Sequence, residues 1–111
     1  MRRLSKFFVI AVATLWSATA LAYTSPGSPS GFVNDFAGIL SQETKTKLEN
    51  SLVAEQQKTS NEIVVVTVPS LDDETIETYA VELFRQWGIG KKGKDNGVLL
   101  LVAPNQKQMR I

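Results

Sequence analysis

Trp87-Gly-Ile-Gly-Lys-Lys-Gly-Lys-Asp95-Asn-Gly-Val-Leu-Leu-Leu-Val-Ala103 is the stretch that decides the fold. A helix ends on an aromatic residue, a loop rich in glycine and lysine turns, and Asp-Asn-Gly launches an aliphatic run. Val98–Ala103 is continuous rather than alternating, the pattern of a strand covered on both faces. Ile63-Val-Val-Val66, followed by Val68, has the same character, and Pro69 cannot extend its ladder. Between the two runs Ile76, Tyr79, Ala80, Leu83, Phe84 and Trp87 recur at helical spacing. Asp72 or Asp73 is expected to cap that helix, and Gly88 to end it in left-handed backbone.

Upstream, Ser41 is a candidate N-cap with Glu43 in the first turn, where the helix dipole favours an anion. Leu48, Leu52 and Ala54 then draw only a thin apolar stripe, which predicts a surface helix ending near Asn61. Downstream, Pro104 and Asn105 supply turn chemistry, and Gln108-Met-Arg-Ile111 begins the period-2 return arm of a hairpin. Strand–helix–strand order with short loops predicts an α/β fold with right-handed crossovers. The expected form is a three-layer α/β/α sandwich with a mostly parallel central sheet and a C-terminal hairpin. The strands at 63–68 and 98–103 should be neighbours, with Val64, Val66, Leu83, Phe84, Leu99, Leu100 and Leu101 buried. A chain that stops inside a hairpin arm is expected to be a C-terminally incomplete domain, whose further course would decide whether a membrane anchor follows.

The first residues read as an address. Arg2, Arg3 and Lys6 make a basic start, Phe7 to Leu15 an apolar stretch, and Ala20-Leu21-Ala22 a small-x-small cleavage site. Residues 1–22 are therefore expected to be a signal peptide, residues 23–31 a flexible Pro/Gly/Ser linker, and residues 32–111 one α/β domain. That predicts an exported protein, periplasmic or extracellular. Residues 1–22 hold three of the twelve Lys+Arg and none of the eleven Asp+Glu, so the net charge of +1 becomes −2 without them. The electrostatic case for a nucleic-acid partner goes with it. No cysteine is present, so stability must come from an apolar core rather than disulfides.

With neither His nor Cys, serine triads, thiol nucleophiles and imidazole or thiolate zinc sites are excluded. Carboxylates, amides, hydroxyls and backbone remain, which are hard ligands suited to Ca²⁺ or Mg²⁺. Gly88-Ile-Gly90-Lys-Lys-Gly93 matches a dinucleotide-binding pattern, but here the helix precedes the loop and the strand follows it, the reverse of what pyrophosphate binding requires. A dinucleotide is excluded; the glycines read as a helix C-cap and loop, and Lys91, Lys92 and Lys94 as a solvated cluster. Asp35 and Asp95 each sit in a turn beside an asparagine. Two readings stand: they cap their own turns, or they converge at one sheet edge as metal ligands. Asp72-Asp73-Glu74 reads as a helix cap.

Taken in order, Val33-Asn-Asp-Phe-Ala-Gly-Ile-Leu-Ser41, Glu62-Ile-Val-Val-Val-Thr-Val68, Ala80 to Gly90 and Asp95-Asn-Gly-Val-Leu-Leu-Leu-Val-Ala103 resemble the TPM domain family. The resemblance covers about residue 32 to the end. It implies an α/β/α sandwich, export, and a divalent-metal site, often calcium, near the sheet edge. Asp35 matches the aspartate of the opening motif, and Asp95 and Asn96 match the Asp-Asn-Gly block, so these three are the expected metal ligands. It also implies an accessory or interaction module for membrane or envelope protein complexes. The alternative it brings is a metal-assisted phosphatase acting on phosphomonoesters outside the cytoplasm, for which this sequence shows no nucleophile with a base beside it.

Overall fold

The computed structural model describes residues 23–90 and 95–111; the expected signal peptide and Lys91, Lys92 and Lys94 lie outside them. The elements run β1 (Val33–Asp35), α1 (Gln42–Thr59), β2 (Glu62–Thr67), α2 (Ile76–Trp87), β3 (Gly97–Ala103) and β4 (Gln108–Arg110). They form one sheet in the order β1-β2-β3-β4. β1, β2 and β3 are parallel, and β4 returns antiparallel beside β3 after a 3₁₀ turn at Pro104–Gln106. This is the expected α/β fold with its C-terminal hairpin.

Alternation along the strands sorts the two faces. Val64, Val66, Leu99, Leu101 and Ala103 point one way and enclose the main core with Ile76, Tyr79 and Leu83 of α2. Val33 and its register partner Val65, with Thr67 two residues on, point the other way and are buried on the face that carries α1. The helices therefore lie on opposite faces while the strands advance in one direction across the sheet. Two right-handed crossovers would place both helices on one face, so the two connections here have opposite hands. The expectation of right-handed crossovers throughout is corrected on this point.

The helices differ in how they are held. α1 has no fully buried residue, consistent with its thin apolar stripe, and begins at the expected cap, Ser41, whose Oγ accepts from the Thr44 N–H at 3.1 Å. Glu49 on α1 reaches β1, where the Phe32 and Val33 N–H groups donate to its two carboxylate oxygens at 3.0 and 2.8 Å. α2 is capped not by Asp72 or Asp73 but by Thr75, which accepts from the Thr78 N–H. Asp72 and Asp73 both adopt positive φ in the preceding turn, so neither can serve as a cap. Gly88 ends α2 in the left-handed region as expected.

Five of the expected core residues, Val64, Val66, Leu83, Leu99 and Leu101, are buried. Phe84 is 36% exposed, because α2 turns Leu83 rather than Phe84 onto the sheet. Leu100 is only half-buried: it shares a face with Val65, and α1 packs on β1 and β2 without covering β3. Residues 23–31 have no regular secondary structure, in keeping with their composition, yet they lie against the domain. Tyr23 packs on the core edge-on to Tyr79, and the Trp87 indole N–H donates to the Gly27 carbonyl. Among the described residues no helix is long and apolar enough to cross a membrane.

Candidate functional site

β1 delivers Asp35 to the C-terminal end of the parallel strands, opposite Thr67 of β2. There the chain turns sharply, and Gly38 takes φ 69°, a conformation that an L side chain resists. The turn leaves several N–H groups without ladder partners, and Asp35 collects them. Its Oδ1 accepts from the Ile39 N–H at 3.0 Å and from the Thr67 hydroxyl at 2.6 Å, and its Oδ2 from the Leu40 N–H at 2.9 Å. Thr67 Oγ1 in turn accepts from the Ala37 N–H at 3.0 Å. Partial burial alone pushes the Asp35 carboxyl up, but the hydrogen bonds from Thr67, Leu40 and Ile39 and the charge of Lys45 outweigh it. The net effect lowers the group below its ordinary value.

Asp95 lies elsewhere. Gly97, two residues on, pairs with Glu62 at the start of β2, whereas Val102 pairs with Thr67 at its end. At about 3.3 Å per strand residue, Asp95 and Asp35 are separated by roughly 20 Å along the sheet. No single cation reaches both, since Ca²⁺–oxygen distances are about 2.3–2.6 Å. The expected set of Asp35, Asp95 and Asn96 is therefore split between opposite ends of the sheet, and the convergence of the two aspartates is corrected. Among the described residues no group of three or more acidic side chains is placed to hold a metal.

Asn96 belongs to the Asp95 end, where its Nδ2 donates to the Ser60 carbonyl at 2.7 Å. Beside it the Glu62 carboxylate accepts from the Gly90 N–H at 2.8 Å. Gly90 and Gly97 touch backbone to backbone: a Cβ on Gly90 would sit 2.8 Å from the Gly97 nitrogen. Two glycines of the loop region thus have a packing reason, which accounts for part of the dinucleotide-like spelling without any ligand. Asp95 itself takes φ 47°, a turn conformation that aspartate tolerates.

Sequence reasoning missed Thr67 and Glu49. Thr67 sat inside a strand pattern and Glu49 in a polar helix, and neither position carries a local signal of a partner 32 or 16 residues away.

The family model for the TPM domain matches residues 33–111. The chain is similar to the solution NMR structure of the N-terminal domain of a protein from P. gingivalis, with 31% identity and a TM-score of 0.69. That likeness covers 81% of this chain and 62% of the other, so it spans less than two thirds of that N-terminal domain's length. A search among curated proteins found no match. The fold and site define an α/β domain whose acidic turns lie at both ends of a parallel sheet. The chain belongs to the TPM domain family.

Proposed function

We propose that this TPM domain works outside the cytoplasm as an accessory module that docks on a membrane or envelope protein complex, and not as a phosphatase. The separation of Asp35 from Asp95 carries this reading. Hydrolysis of a phosphomonoester needs charge-neutralising groups and an activated nucleophile on one phosphorus atom. Two carboxylates at opposite ends of a sheet cannot supply them together, and both oxygens of Asp35 already accept hydrogen bonds from its own turn. The sheet face that α1 leaves uncovered supports a protein partner instead, with Val98, Met109 and Ile111 exposed. Export rests on the Arg2-Arg3 start, the apolar stretch and Ala20-Leu21-Ala22.

The divalent-cation part of the proposal, Ca²⁺ or Mg²⁺, belongs at the corner of Glu62, Asp95 and Asn96, where carboxylate and amide oxygens flank Gly90. Asp35 is not a member. The test is twofold. With either cation present, hydrolysis of para-nitrophenyl phosphate should not exceed that in buffer; turnover abolished by Asp35→Asn or Asp95→Asn would establish the phosphatase instead. In calorimetric titration, Asp95→Asn should weaken Ca²⁺ binding and Asp35→Asn should leave it unchanged.

A further inference from the structure

We propose that the aromatic surface of Trp87, Phe36 and, beneath Tyr23, Tyr79 is a docking site for extended proline- and glycine-rich peptides, and that residues 23–30 cover it in cis as an autoinhibitory strap. This goes beyond the accessory reading and does not rest on it.

This surface has the parts that such recognition uses. Phe36 and Trp87 meet edge to face, with ring centroids 6.3 Å apart, and Tyr79 supplies a third ring. The Trp87 Nε1–H donates to the Gly27 carbonyl at 3.1 Å, so the indole reads backbone rather than a side chain. Above it runs Thr24-Ser-Pro26-Gly-Ser-Pro29, a segment with little conformational entropy left to lose at its prolines. Gly27 is needed there on two counts. Its φ of 140° disfavours an L side chain, and a Cβ would come 3.2 Å from the Phe36 ring. Tyr23 anchors the strap, with its ring edge-on to Tyr79 at 5.2 Å and its hydroxyl donating to Gln86 Oε1 at 2.7 Å.

The strap is a weakly held occupant. It is not a strand of the sheet and residues 27–30 are exposed; among the described residues it is held on α2 by two hydrogen bonds and a ring contact, and at its far end by the Ser30 N–H, which donates to Asn34 Oδ1 at 2.8 Å. A segment held this way stays bound through its tether, which supplies a high effective concentration, and gives way to a competitor once its anchors are loosened.

The test uses the full chain with Trp16→Phe, which leaves Trp87 as its only tryptophan. Adding Tyr23→Ala and Gly27→Val should release the strap, shift Trp87 emission to the red and raise its quenching by acrylamide. A synthetic peptide with the sequence of residues 23–31 should then reverse both changes saturably, at a concentration at least tenfold below that needed with the strap intact. Replacing Pro26, Gly27 and Pro29 of the peptide by alanine should abolish the effect. Unchanged emission in the loosened variant would overturn the proposal. So would a peptide without effect at millimolar concentration. Loss of helical circular dichroism in the loosened variant would overturn it as well, since the strap would then be part of the cooperative core.

Discussion

The two helices solve the same problem by different physics. α2 presents Ile76, Tyr79 and Leu83 to the sheet and is held by apolar burial. α1 buries nothing completely and is held by the grip of Glu49 on two backbone N–H groups of the β1 segment, together with partial cover over Val33 and Val65. One face of this sheet is therefore cemented without direction, while the other depends on a few directional contacts. A non-directional face tolerates small shifts; a directional one fails when a single acceptor is lost.

The comparison breaks most visibly at Leu83. Leu83→Ala should cost about 2–5 kcal/mol, and Leu52→Ala, half-buried on α1, only about 1 kcal/mol. Chemical denaturation of both variants measures the ratio; equal losses would mean that the faces are not different in kind. Next comes Glu49→Ala, which strands two partly buried N–H groups and should cost about 1–3 kcal/mol. Glu49→Gln should recover part of that, because one amide oxygen still accepts.

Asp35→Asn sharpens the picture at the end of β1, with a loss of about 1–2 kcal/mol at neutral pH. Its pH signature has a definite sign. The folded carboxyl titrates below its ordinary value, so its contribution is fully present above about pH 3.9 and disappears as the pH falls through the folded value. Denaturation curves taken from pH 6 downward should show that acid-side loss in the parent and lack it in the variant. The smallest effect is a control. Ser41→Ala and Thr75→Ala remove equivalent side-chain caps, so each should cost about 1 kcal/mol whichever face its helix covers.

Much of this was legible from residues alone. The continuous runs at Val64–Val66 and Val98–Ala103 marked strands, and Gly88 and Ser41 marked helix ends, because each signal is local; the expected cover on both faces held for Val64–Val66 but not for β3, where Val98 is exposed and Leu100 half-buried. The candidate site was legible only as its separate halves. Nothing in Asp35 or Asp95 says which end of a strand it will occupy relative to a partner 60 residues away, and the bland reading of Asp35 as a cap for its own turn prevailed once the turn's N–H groups were located.

By itself, then, the sequence determined the elements, their order and the residue types open to chemistry, since period, caps and composition act over a few residues. The tertiary structure alone decided which face each helix covers, that Glu49 holds β1 and that Tyr23 lies on Tyr79. It also decided that the two aspartates stand at opposite ends of the sheet, because register and crossover hand are properties of the assembled strands and of no single segment.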